Sequence, residues 1–195
     1  MNASHTLAEV DRKPAAETLR DALRQVGARA FTASDYRVGT VRHLVLLRFA
    51  ERVTVALQRE VVAAFLTLRD TCVRDGRPYI RSIEHGLQSS GEGADRGFEH
   101  AFLMSFDSEG DRNYYIGEPI VDDPLYYDLQ HHAFKADIGP LMDPQRVLVF
   151  DYPVADAPVD AAIDGEAAHR RQPDRQGLES EPAPARPGLP GVAAA

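Results

Sequence analysis

Two stretches of this sequence are apolar on both sides of a strand, and that constrains the fold more than any other feature. In VRHLVLLRF (41–49) one side carries Val41, His43, Val45, Leu47 and Phe49, while the other still holds Leu44 and Leu46 between Arg42 and Arg48. In FEHAFLMSF (98–106) one side carries Phe98, His100, Phe102, Met104 and Phe106, and the other offers Ala101 and Leu103. Side chains of a strand alternate between its two faces. An antiparallel sheet with one wet face shows a clean apolar and polar alternation, so both faces of this sheet need cover. Helices can cover one, and the sheet of a second copy is the simplest cover for the other. Burying five such side chains at about 1.5–3 kcal/mol each outweighs a few rim charges. The alternation therefore predicts a homodimer.

Around these stretches the chain reads strand, helix, two strands, helix, strand over 40–153. Thr54 can cap a helix running to about Val73, with Val61, Val62, Phe65, Leu66 and Leu68 as its core stripe. PYIRSIEHG supplies a strand that the loop LQSSGEGADRG joins to FEHAFLMSF. HHAFKADIGPLM predicts the second helix, ended or bent by Gly139-Pro140, and RVLVFDY closes as the last strand. This order is that of an α+β, ferredoxin-like βαββαβ subunit with both helices on one face of an antiparallel sheet.

The two ends read differently. Residues 1–39 form an extension whose Leu19, Ala22, Leu23 and Val26 recur at helical spacing between Pro14 and Gly27, a short amphipathic helix that must dock somewhere. From Ala155 onward there is no aromatic residue and the chain is dominated by Ala, Pro, Asp, Glu and Gly, so 154–195 is expected to be a disordered tail. A net charge of -8 and a pI near 5.3 argue against nucleic acid or an anionic membrane surface as partner, since both attract concentrated Lys and Arg. No apolar run approaches the roughly 20 residues of a membrane-spanning helix. The single cysteine, Cys72, cannot form an intramolecular disulfide, and MNASHTLAEVDRKP lacks the apolar centre of a secretory signal, so a reducing cytoplasm is the expected location.

RHLVLLRF, IRSIEHG, RGFEHAFLMSF, YYDLQHHAF and VLVFDY, in this order and spacing over about 40–153, resemble the stress-responsive A/B barrel, or Dabb, domain family. The resemblance implies a dimeric α/β barrel in which two ferredoxin-like subunits pack sheet against sheet. Each leaves an internal cavity between sheet and helices or between sheets. Most members have no established reaction; one, the plant olivetolic acid cyclase, folds a linear polyketide through an aldol step with a histidine and a tyrosine. Carried over residue by residue, the family histidines fall on His43, His100 and His131, and Asp128 stands in place of the first histidine of the HPxH form. The cyclase tyrosine best matches Tyr115. IGEPIVDDPLYY separates it from His131, so Tyr126 or Tyr127 could occupy the same space. A second pocket tyrosine of the cyclase corresponds to Phe65, which removes a hydroxyl.

His131 and Phe134 are three residues apart, so they share one side of a helix and point inward together, while His132 points elsewhere. That makes His131 and Tyr115 the candidate catalytic residues and His43, Phe65, His100, Tyr126 and Phe134 the candidate pocket residues. A neutral imidazole could accept a proton from an acidic carbon while a tyrosine hydroxyl donates to the developing enolate oxygen. Equally, His131 could fix the start of its helix by bonding a backbone carbonyl. His43, His85 and His100 could converge on a metal, but their spacing is unconstrained and no cysteine or carboxylate joins them. No metal and no cofactor are expected. SSGEGADRG does not follow the strand-to-helix pattern of a phosphate loop, and GEPIVDDP reads as a solvated insertion near the pocket mouth. Two classes of function remain: a homodimer whose cavity holds a small apolar or aromatic molecule, or a cofactor-free lyase or cyclase acting on a polyketide-like or aromatic compound.

Overall fold

The structure, a computed structural model, describes residues 13–155. The expected tail lies almost entirely outside the described residues. In chain order the elements are α1 (Ala15–Phe31), β1 (Val38–Phe49), α2 (Val55–Thr71), β2 (Val73–Arg74), β3 (Arg77–Pro78), β4 (Ser82–Leu87), β5 (His100–Ser108), α3 (Glu109–Ile116), α4 (Leu129–Ile138) and β6 (Met142–Pro153). Four strands form one antiparallel sheet in the order β4-β5-β1-β6, and β2 and β3 make a separate two-residue hairpin.

The inner face of the sheet carries the core. Val41, Val45, Leu47 and Phe49 of β1 and Phe102, Met104 and Phe106 of β5 pack with Val61, Phe65 and Leu68 of α2 and Phe134 of α4. Phe65 stacks on Phe102 with ring centroids 4.0 Å apart and meets Phe134 edge-on at 5.3 Å. α2 begins where its cap predicts, with the Thr54 hydroxyl accepting from the Leu57 amide. It ends at Thr71, two residues before the expected limit, because the chain turns there into the β2–β3 hairpin. Leu66 is exposed rather than core: the buried positions 61, 65 and 68 define the stripe, and Leu66 lies a full residue angle off it.

The order predicted from the sequence contains no helix at Glu109–Ile116, yet α3 is there. Ser108 caps it by accepting from the Asp111 amide, and Glu109 and Asp111 sit in the first turn, where acidic side chains favour the helix dipole. Gly110 masks the pattern, since glycine is a poor helix former. Its absent Cβ leaves room for the chain after α1: a Cβ at Gly110 would lie 1.7 Å from the Ala33 carbonyl oxygen.

α1 runs past its expected end at Gly27, where the backbone takes φ 79 and ψ 158 and bends, and stops at Phe31. Its docking partner is the insertion before α4. Ala22 and Phe31 form a second, smaller core with Val121 and Tyr127, flanked by Leu19, Leu23, Ile120 and Tyr126, while Val26 faces solvent. The outer face of the sheet is apolar and, among the described residues, no helix packs on it. Register places Leu44 beside Leu103 and Phe150, and Leu46 beside Ala101 and Leu148. Phe150 is 58% exposed and Tyr152 40%.

Candidate functional site

A cavity of about 510 Å³ opens between the inner face of the sheet and the helices. Val45, Leu47, Phe65, Phe134, Val147 and Val149 make it apolar, the Tyr115 ring adds to the wall, and His43, His131, Lys135 and Glu118 supply its polar groups. β1 delivers His43 because the same alternation that buries Val41 and Val45 turns residue 43 inward. α4 delivers His131, buried with Phe134, while His132 lies outside and faces Glu118 at 3.8 Å.

Each cavity histidine has one committed nitrogen and one free one. His131 Nδ1 lies 2.5 Å from the Tyr115 carbonyl oxygen, which can only accept, so Nδ1 carries the proton and Nε2 the lone pair. The Asp128 carboxylate caps α4 by accepting from the His131 amide at 2.9 Å, and its other oxygen accepts from the Tyr79 hydroxyl at 2.5 Å. Asp128, standing where the family form has histidine, thus anchors the helix that carries His131. Burial pushes His131 down to about 3, so its imidazole is neutral near pH 7. His43 Nδ1 lies 2.6 Å from Asp151 Oδ1, and Arg112 donates to Asp151 Oδ2 at 2.7 Å. Burial alone would raise the Asp151 carboxyl, but its hydrogen bonds with His43 and Arg112 and the charge of Arg112 hold it below the usual carboxylate range. Neither Nε2, of His43 or of His131, has a hydrogen-bond partner among the described residues.

Tyr115 joins the two histidines. Its ring stacks on His131 with centroids 3.6 Å apart and meets His43 edge-on at 5.7 Å. Its hydroxyl is enclosed without a hydrogen-bond partner, and burial, reinforced by Cys72 and Asp128, holds it well above the ordinary tyrosine range. Lys135 closes the rim, donating to the Ile116 carbonyl at 2.9 Å, and the insertion contributes Glu118 and Pro119 to the cavity wall.

The structure brings together His43, Phe65, Tyr115, His131 and Phe134 and leaves two of the sequence candidates elsewhere. His100 sits one strand and four register positions away from His43, hydrogen-bonded through Nδ1 to His85 Nε2 at 3.1 Å. The two line a separate open groove along α2 and the 88–99 loop. Tyr126 lies in a single 3-10 turn, Pro124–Tyr126, packed against the second core. His43 is thus apart from His85 and His100, and among the described residues no group of three or more His, Cys, Asp or Glu side chains could hold a metal ion. Sequence reasoning did not single out Asp151 and Arg112. For Asp151 a signal existed: it is an acidic residue at an inward position of the last strand, register partner of His43.

A four-stranded antiparallel sheet in this order, backed by helices on one face over a histidine-lined cavity, defines a ferredoxin-like α+β subunit. The chain belongs to the stress-responsive A/B barrel domain family, whose model matches residues 41–154. α1 and the residues before β1 lie outside that match. Solved structures with similar folds include a protein of Arabidopsis thaliana, 22% identical, with a TM-score of 0.47, covering 60% of this chain and 97% of its own. The hydroxynitrile lyase of Passiflora edulis is 19% identical with a TM-score of 0.48, covering 61% of this chain and 96% of its own. A Dabb family protein of Mesorhizobium loti with a ferredoxin-like fold is 18% identical with a TM-score of 0.43, covering 60% and 99%. A search of curated proteins found no match.

Proposed function

We propose that this protein acts as a cytoplasmic homodimer whose cavity binds a small apolar or aromatic molecule carrying a hydrogen-bond donor. The observation that carries this reading is the pair of unpartnered imidazole Nε2 atoms in a cavity otherwise walled by aliphatic and phenyl groups. Such a site holds an apolar body and orients it through a few placed polar groups. The acidic net charge supports a partner other than nucleic acid or an anionic membrane, and no helix among the described residues is long and apolar enough to cross a membrane. A thermal-shift screen with phenols and hydroxylated aromatic ketones tests the reading. Binders are expected to lose affinity in His131→Ala, while His132→Ala binds like the parent; equal loss in both variants, or no binder in the series, counts against it.

A second reading, cofactor-free lyase or cyclase chemistry, is favoured by the Asp151 carboxylate behind His43. A carboxylate on Nδ1 stabilises the imidazolium formed when Nε2 takes a proton from an acidic carbon. His131, held so far below neutral, is a poor proton acceptor and fits a hydrogen-bond acceptor better. Tyr115 is protonated at all ordinary pH values, and because its hydroxyl is enclosed, donation to a bound molecule would require the side chain to move.

A further inference from the structure

We propose that Arg112 is a positioning residue for His43: by neutralising Asp151 it keeps His43 uncharged, with Nδ1 donating to the carboxylate and Nε2 open to the cavity. The usefulness of that role rests on the ligand-site reading above, but the protonation state itself does not. One buried carboxylate here has two partners able to carry positive charge, His43 at 2.6 Å and Arg112 at 2.7 Å. The guanidinium is permanently charged. Together Asp151 and Arg112 sum to zero, and a further proton on His43 would leave a net positive charge in a closed site. Without Arg112 the carboxylate would keep only His43, and the balance would favour a doubly protonated imidazole. The charged and titratable groups around His43 are Asp151 on β6, Arg112 and Tyr115 on α3, and His131 on α4, and the cavity that His43 shares with them is also lined by Lys135 of α4 and Glu118 of the insertion. Met104, its register partner on β5, brings no charge.

Arg112 is itself held. Its Nε donates to Asn113 Oδ1 at 3.1 Å, and Asn113 Nδ2 donates to the Phe31 carbonyl at 2.8 Å. Phe31 is the last residue of α1. A continuous path of hydrogen bonds therefore runs from the end of α1, through Asn113, Arg112 and Asp151, to the cavity histidine. Arg112, Asn113 and His43 are all buried along it. The extension outside the family match is thereby tied into the cavity's electrostatics.

Nitrogen-15 NMR of histidine-labelled full-length protein at pH 7, with His43 assigned by His43→Gln, tests this without any ligand, so a cavity that binds nothing in the screen leaves the result interpretable. The expected outcome is a neutral His43 protonated at Nδ1 in the wild type and in Arg112→Lys, and a doubly protonated His43 in Arg112→Met. A neutral His43 in folded Arg112→Met, or a doubly protonated one in the wild type, would overturn it. If Arg112→Met does not fold, the double variant Arg112→Met/Asp151→Asn, which removes both charges, is expected to fold and to melt higher than Asp151→Asn. A double variant that also fails to fold, or that melts no higher than Asp151→Asn, would overturn the charge pairing.

Discussion

Each histidine of the cavity has its tautomer set by what its Nδ1 must donate to, and for His131 this has a stability consequence. The unfolded chain takes up a proton near the ordinary histidine value of about 6.5, while the folded protein resists it down to about 3. Protons therefore favour the unfolded state across that interval. The contribution is fully present above about pH 6.5 and is lost as pH falls, at about 1.4 kcal/mol per pH unit. Denaturant unfolding between pH 7 and pH 4.5 should show this slope in the wild type and a shallower one in His131→Gln; equal slopes would mean that His131 titrates normally in the fold. Tyr115 gives a second residue-level expectation. An enclosed hydroxyl without a partner costs about 1–3 kcal/mol of desolvation, so Tyr115→Phe should melt at the same temperature or higher. A clear drop in Tm would show that the hydroxyl has a bonding partner, such as an enclosed water.

Among the elements, α3 is the one whose geometry depends most on a single missing atom. Gly110→Ala would drive a Cβ into the Ala33 carbonyl oxygen, a backbone atom that cannot step aside. The cost is expected to be about 3 kcal/mol, against almost none for Gly91→Ala, which meets open space; equal melting temperatures for the two would show that α3 and the chain after α1 do not pack this closely. The same glycine explains what the sequence conceals. Strands β1 and β5, the Thr54 cap and the inward pairing of His131 with Phe134 are legible because each follows from a local period or a local cap. α3 is not, since Gly110 breaks the helical pattern for a reason located 77 residues earlier in the chain, at Ala33. The cavity divides the same way. His43, Tyr115 and His131 stand out as residue types within recognisable segments, whereas Asp151 and Arg112 gain meaning only when β6 and α3 are brought beside β1. His100 shows the opposite failure: its inward phase on β5 is right, but phase says nothing about position along the strand, and the strand carries it to the His85 end of the sheet.

On the scale of the whole molecule, the sheet separates two apolar regions that the chain treats differently. The inner face is closed by α2, α3 and α4, so its core and cavity are complete within one chain. The outer face has no such cover among the described residues: Leu44, Leu46, Leu103, Leu148, Phe150 and Tyr152 lie side by side across three strands. Contiguous exposed apolar surface of this kind marks an interface on a soluble protein, and a flat strand face matches itself across a twofold axis. Sedimentation of the full chain at micromolar concentration is therefore expected to give a dimer, and monomer alone would rule this interface out. Phe150→Arg sharpens the test. On the edge strand β6, beside Leu44, it would set a guanidinium into the apolar contact with its hydration removed, and the dimer should dissociate at the same concentration. Because Phe150 points away from the inner core, the variant should keep its far-ultraviolet circular dichroism as a monomer with a lower Tm. A variant that stays dimeric with an unchanged melting temperature would place the contact between subunits on some other surface.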